Sequence, residues 1–334
     1  MGQGPGKGRG VDVKPPARAE AISARIAKAT GVPSLVEKLA RLPGADLTSL
    51  LLLVFKERAK RTKAASVLRQ FEKDRFVRPA STMARSLLEF DLLAASLLND
   101  GWEFVELAPL APFGAVATLT GLSQDWAIAT VRGTEVVSDS TNVLAMEAAL
   151  RLKKAGKNRA RVTLAASQRL TRPQAYSDPA AQAHFRLFGL VSATLGSRRE
   201  RTLDTDALRD QLAFYLRLLG RVEEIGLEVR DTEVALTDLV GGQEDQIERE
   251  VLAPLASDFT SVAFRLAPER DWGRNYYTKA CFYISAARRD NARLELVDGG
   301  FTDWGEQLLS DRRVQLLISG IGADRLCSSF ASPS

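Results

Sequence analysis

Histidine is nearly absent from this chain: 334 residues contain one, His184. One imidazole excludes a histidine-ligated metal centre and a Ser-His-Asp triad. Cysteine is almost as scarce. Cys281 and Cys327 offer neither a disulfide framework nor metal-ligand spacing, so a reducing, cytoplasmic setting is expected. No metal-binding residues are expected. Long apolar runs are missing too. The longest, Leu50 to Phe55, is far too short to span a bilayer, so no membrane partner is expected. Residues 1–18 are rich in Gly, Pro and basic side chains without an apolar segment, which predicts a disordered basic tail and not a signal peptide.

What remains is ordinary for a globular protein: 45% hydrophobic and 26% charged residues, enough to bury a large core. The net charge of +5 is concentrated in one place. Residues 56–78 carry nine Lys or Arg against three acids, and the rest of the chain is close to neutral. Such a stripe suits a phosphate-rich partner such as tRNA or another RNA, and it equally suits a solvated helix face.

Residues 19–80 read as a small helical unit. Gly31 closes a first helix, Pro33 opens a second, and Leu42-Pro43-Gly44 ends it. Asp46 can cap a third, whose Leu47, Leu50, Leu51, Val54 and Phe55 fall at helical spacing. Residues 81–334 differ in character. A helix from Met83 to Leu98 precedes an alternating stretch, Gly101 to Leu107. Strands are expected over 126–132, 134–137, 162–170, 184–192, 234–236, 280–286 and 294–297, with helices over 142–154 and 205–224, the last capped by Asp204 or Thr205. The fold class expected is α+β, an antiparallel sheet flanked by helices.

Several short segments could carry chemistry. Leu316 to Leu326 is an apolar run meeting Gly320 and Gly322, then Arg325 at a helix start; such glycines admit a close approach and the arginine can reach a phosphate. Arg169, in Gln168-Arg169-Leu170-Thr171-Arg172-Pro173-Gln174, is strand-borne, and its fork suits phosphate or carboxylate. The returning strand carries Phe185 and Leu187. Ser138-Asp139-Ser140-Thr141-Asn142 can serve simply as a helix cap. Tyr276 and Tyr277 could be one core and one surface tyrosine on alternate faces of a strand. Gly101-Trp102-Glu103-Phe104-Val105-Glu106-Leu107-Ala108-Pro109 reads as a strand that ends at proline.

Taken in order from Leu87 to Leu326, these segments resemble the three signature motifs of class II aminoacyl-tRNA synthetases. The likeness is strongest to histidyl-tRNA synthetase and its paralogue, the regulatory subunit of ATP phosphoribosyltransferase. The resemblance implies a class II synthetase-like core and a homodimer, with ATP and Mg²⁺ as cofactors. It implies that Arg169 and Arg325 contact ATP, with Gly320, Gly322 and Phe185 lining the nucleotide site. Asp139 and Thr141 fall where the family holds the substrate ammonium group. Tyr276, Tyr277, Lys279, Gly299 and Gly300 fall on substrate-pocket segments, the glycines in a Gly-Gly-x-x-Asp turn. The family's catalytic arginine, four residues before the tyrosine pair, is replaced by Trp272, and Arg274 is the nearby candidate for its role. Thr171 replaces a glutamate, Leu187 a glutamine, Lys279 a glycine and Phe301 an arginine. The anticodon-binding domain of histidyl-tRNA synthetases is not expected.

Three functions follow. One is ATP-dependent adenylation of a small amino or carboxylic acid other than tRNA-His charging. The second is a catalytically silent, ligand-binding regulatory or scaffold paralogue. The third is RNA binding through residues 56–78, which can accompany either.

Overall fold

A computed structural model describes residues 16–156, 161–174, 182–196, 203–274 and 276–332. The tail expected over residues 1–18 therefore lies almost wholly outside the described residues. Four helices come first: α1 (Pro16–Thr30), α2 (Leu35–Ala40), α3 (Gly44–Lys60) and α4 (Ala64–Lys73). Pro43 occupies the cap position of α3, so Asp46 sits in its first turn and not at its cap.

The core begins with α5 (Ala84–Ser96). It continues through β1 (Glu103–Phe104), β2 (Leu110–Pro112), α6 (Ala115–Thr120), β3 (Ile128–Ala129), β4 (Thr134–Val136) and α7 (Ser140–Ala155). Two long strands follow, β5 (Arg161–Thr171) and β6 (His184–Leu195), then α8 (Thr205–Leu219) and β7 (Arg230–Asp238). Next come α9 (Glu244–Ile247), α10 (Ala253–Asp258), β8 (Ala263–Leu266), β9 (Ala280–Ala287) and β10 (Arg293–Thr302). The last elements are α11 (Trp304–Leu309), β11 (Val314–Gly322) and α12 (Ala323–Ser329).

Eight strands form one sheet in the order β1-β5-β6-β11-β10-β9-β7-β8, antiparallel except for the parallel edge pairs β1–β5 and β7–β8. Strands β2, β4 and β3 make a small second sheet. The expected α+β architecture is what the chain adopts.

Each face of the large sheet carries its own helices, because strand residues alternate in direction and both sets are apolar. Helices α5, α8 and α12 cover one face, the back, burying Phe90, Leu212, Phe214 and Leu326 against Phe188, Phe282 and Phe301. Helices α7 and α11 cover the other, the front, burying Leu144, Ala148, Leu152 and Trp304 against Val191, Cys281 and Ile318. Helix α8 is capped by Asp204, which accepts from the Ala207 amide at 3.0 Å.

The expected Gly-Gly-x-x-Asp turn is strand interior instead. Gly299 and Gly300 lie within β10, hydrogen-bonded to β9 on one side and β11 on the other. Gly320 and Gly322 lie within β11, and α12 starts at once after Gly322. Close packing, not chain reversal, explains the first pair. A Cβ on Gly299 would fall 2.5 Å from the Ser319 Cβ and 2.6 Å from Phe282, and one on Gly300 would fall 2.6 Å from the Tyr277 ring. The strand expected over 101–107 shrinks to Glu103–Phe104, and the one expected over 294–297 extends to Thr302.

Candidate functional site

The front face places two charged clusters beside each other. One is built on the start of α7. Asp139 caps that helix, its Oδ1 accepting from the Thr141 amide at 3.0 Å and the Thr141 hydroxyl at 2.8 Å. Its Oδ2 accepts from Arg172 Nη2 at 3.3 Å. Arg172 also donates through Nε to the Ser138 carbonyl at 2.9 Å, and its guanidinium lies 5.1 Å from the centre of the Phe185 ring. Gly189 lets α7 come this close, since a Cβ there would meet Ser140 Oγ at 2.8 Å. Tyr276 hydrogen-bonds Thr141, and burial, then the nearby Asp139, push its hydroxyl well above the ordinary tyrosine range.

The second cluster centres on Arg270, whose side chain is wholly buried. Nη2 donates to Asp298 Oδ1 at 2.6 Å, and Nε to the Trp272 carbonyl at 3.1 Å. The guanidinium sits 5.0 Å from the Trp272 ring and 5.7 and 5.8 Å from those of Tyr283 and Tyr277. Nη1 has no partner among the described residues. Burial is the largest influence and works against the Arg270 charge, but Asp298, Cys281 and Tyr277 together outweigh it and the net shift is upward. Asp298 also accepts from Tyr277 Oη at 2.8 Å, and burial raises its carboxyl above the usual range.

A register shift in β10 between Glu295 and Val297 turns Glu295 to the same face as Asp298, since they pair with Ser285 and Tyr283. Burial and the Asp298 charge raise the Glu295 carboxyl, opposed by Arg270 and Arg325. Arg325, in the first turn of α12, is half-buried; its side chain makes no hydrogen bond or ion pair among the described residues.

The tyrosines do not alternate between faces. Both are held in the turn before β9, their amides bonded to the Gly273 carbonyl, with ring centres 5.0 Å apart at 89°. Gly273 has φ +77°, a conformation that favours glycine. Lys279 donates to Gln315 Oε1 at 2.8 Å.

Arg169 stands apart from this assembly. In the β5–β6 ladder it pairs with Arg186, and both project from the back face. Arg169 Nη1 lies 2.9 Å from His184 Nδ1, and Nη2 lies 3.5 Å from Asp324 Oδ1. Asp324 Oδ2 accepts the Arg186 amide at 2.6 Å; Arg186 in turn pairs with Asp91, which accepts from Ser167 Oγ at 2.6 Å. His184 Nε2 faces the Arg78 carbonyl at 2.7 Å, so that nitrogen carries the proton and Nδ1 accepts from Arg169. The same alternation turns Gln168, Leu170 and Arg172 to the front. Arg274 is exposed and donates to the carbonyls of Arg270 and Pro268 at 2.7 and 2.9 Å. The buried arginine beside the tyrosines is thus Arg270 and not Arg274. Nothing in the immediate sequence of Arg270 sets it apart; the signal is three-dimensional.

The fit to a nucleotide is poor. Leu187 lies over Gly320, where an added Cβ would come within 3.1 Å of it, and Arg172 already occupies one side of Phe185. Among the described residues no group of three or more His, Cys, Asp or Glu is placed to hold a metal ion, and no helix is long and apolar enough to cross a membrane.

No protein-family model and no curated protein matches the sequence. Solved structures do match. An ATP phosphoribosyltransferase regulatory subunit/histidyl-tRNA synthetase from Bacillus halodurans C aligns over 76% of this chain and 82% of its own, at 15% identity and a TM-score of 0.56. Histidyl-tRNA synthetase from S. aureus, without ligand, aligns over 75% of this chain and 69% of its own, at 14% identity and a TM-score of 0.53. A histidine–tRNA ligase subunit from Alicyclobacillus acidocaldarius subsp. acidocaldarius DSM 446 aligns over 75% of this chain and 94% of its own, at 14% identity and a TM-score of 0.50. At such identities the likeness concerns the fold alone: the chain has a class II aminoacyl-tRNA synthetase-like core, similar to histidyl-tRNA synthetase and to its regulatory-subunit relative.

Proposed function

We propose that this chain is a class II synthetase-like paralogue that binds a small zwitterionic ligand, an amino acid or close relative, without activating it. It would act as a regulator or scaffold. The position of Arg169 carries this reading. Adenylate formation needs fixed cations on both sides of the reacting phosphate, and Arg169 is on the back face, bonded to His184 and near Asp324. The front face instead offers two arginines, Arg172 and Arg270, against three acids, Asp139, Asp298 and Glu295, and Arg325 acts on Glu295 through its charge from the first turn of α12. A balanced set suits a zwitterion better than a polyphosphate. In this reading Asp139 and Thr141 take the ammonium group, Arg325 takes the carboxylate, and Tyr276 and Tyr277 wall the pocket. Thr171, Leu187, Trp272 and Lys279 agree with it, since each replaces a group that the family's reaction uses.

The ligase reading keeps one supporting observation: the Arg325 side chain makes no hydrogen bond or ion pair among the described residues. Homodimerisation rests on the resemblance, and tRNA contact on the charge of residues 56–78. Thermal shift with each amino acid, with and without ATP, tests the proposal. One amino acid should raise the melting temperature without ATP, and Asp139→Asn or Arg172→Gln should abolish the shift. A ligand at about a hundred times its Kd stabilises by about 2.7 kcal/mol, well within detection. No shift with any amino acid would sink it.

A further inference from the structure

Residues 19 to 86 contain no buried side chain, although they form four helices and the start of a fifth. The first four helices therefore do not cover one another, and much of their apolar surface stays in water. Helix α3 runs from Leu50 to Phe55 without a polar residue, and Leu53 in that run is 62% exposed. Helix α4 is two-sided. At about 3.6 residues per turn, Ala64, Val67, Leu68 and Phe71 fall on one side of it, and Arg69 and Lys73 fall on the other. Leu68 is 67% exposed.

The positive charge of this region is as uncovered as its apolar surface. Residues 56–78 carry nine Lys or Arg. Among them, Lys56, Arg58, Arg61, Lys63 and Lys73 make no side-chain hydrogen bond or ion pair among the described residues. The acids offset them little, since Glu57 pairs with Lys60 at 2.6 Å and Asp74 accepts the Phe76 amide at 3.0 Å. Leu53, Val54, Glu57, Arg58 and Arg61 line one open depression on α3. Unpaired cations and bare apolar side chains thus share one surface, and Arg61-Thr62-Lys63 continues the charge from α3 to α4.

We propose that α3 and α4 lie on an anionic phospholipid bilayer, in the plane of its headgroups, and attach the protein to that surface. No described helix is long and apolar enough to cross a membrane, but lying on one needs only an apolar side with cations beside it. The bilayer interface meets both demands at once. Acyl chains take Leu53, Val54, Leu68 and Phe71, and headgroup phosphates take the unpaired cations. Nucleic acid is the poorer occupant, since its phosphates would neutralise the cations and leave the leucines in water. A protein groove is poorer too, because the apolar side chains are spread over two helices that bury none of them against each other. A broad fluid surface receives both helices. This inference is independent of what the front face binds.

Flotation of the full-length protein with vesicles tests this, using phosphatidylcholine alone and phosphatidylcholine with about one third phosphatidylglycerol. The protein should float with the anionic vesicles at low salt and stay behind with the neutral ones. Each change of Arg58, Arg61 or Lys63 to Gln should weaken binding about fivefold. Leu53→Ser with Leu68→Ser should weaken it about tenfold or more. All of these positions are exposed, so every variant should melt at the parent temperature, which separates lost binding from lost folding. No flotation with anionic vesicles overturns the proposal, whether the protein is then retained on RNA or sediments as a dimer. Unchanged binding by the Leu53→Ser, Leu68→Ser variant overturns it as well, because charge alone would then hold the protein. Equal binding to neutral vesicles does the same for the headgroup contacts.

Discussion

Arg270 and Asp298 are the pair on which the front face depends most. The arginine is fully buried, so removing its carboxylate leaves an uncompensated charge among three aromatic rings. Asp298→Asn should destabilise the protein by about 3 kcal/mol, the low end for a broken buried pair because Asp298 itself is partly exposed. Replacing both partners, with Arg270→Met and Asp298→Leu, should cost less than Asp298→Asn alone. Urea unfolding of the three variants measures this; a double variant clearly weaker than the single one refutes it. Glu295 offers a second test. Its folded-state proton affinity is raised by burial and by Asp298. The stability tied to it is therefore fully present below the ordinary carboxylate pKa and is lost as pH rises through the raised value. Glu295→Gln should unfold at a higher temperature than the parent protein near neutral pH, with the gap closing in acid. A gap that widens in acid would reverse the sign and rule out the assignment.

Among the elements, β10 holds the sharpest constraint. Gly299→Ala or Gly300→Ala must push Ser319, Phe282 or Tyr277 aside and should each cost about 1–3 kcal/mol. Gly320→Ala meets only the flexible end of Leu187, at 3.1 Å, and should cost less in the same thermal melts. These glycines also show how far the sequence could be read. Alternation and capping residues locate β5, β6, α7, β9 and the start of α8 to within a few residues, because each follows a local period or cap; the helix expected to reach Glu224 ends at Leu219. The glycine segments of β10 and β11 resemble turns in sequence, since glycine favours turns as much as close packing. Only the neighbouring strands decide between them. The face of Arg169 was hidden for a similar reason: a strand residue's side depends on register with its partner, and a shift of one residue reverses it. Arg270 was invisible because its neighbours Asp298 and Tyr283 come from β10 and β9.

The synthetase-like core and the N-terminal helices present different physical situations within one molecule. The core buries apolar side chains on both faces of an eight-stranded sheet, whereas residues 19–86 bury none. The core's front face gathers an acid-capped helix start, a tyrosine pair and two arginines, while Arg169, one of the two arginines expected to clamp a phosphate, faces backward. That division is the basis for separating binding from catalysis here. The fold alone does not make that separation, because one fold supports several functions. ATP–pyrophosphate exchange across the twenty amino acids, run beside thermal shift on the same protein, distinguishes the two. Background exchange is expected for every amino acid, together with stabilisation by at least one that depends on Asp139 and Arg172. Exchange above background with any amino acid, retained in Arg169→Ala or not, would show that the chain activates its ligand and would end the binding-only reading.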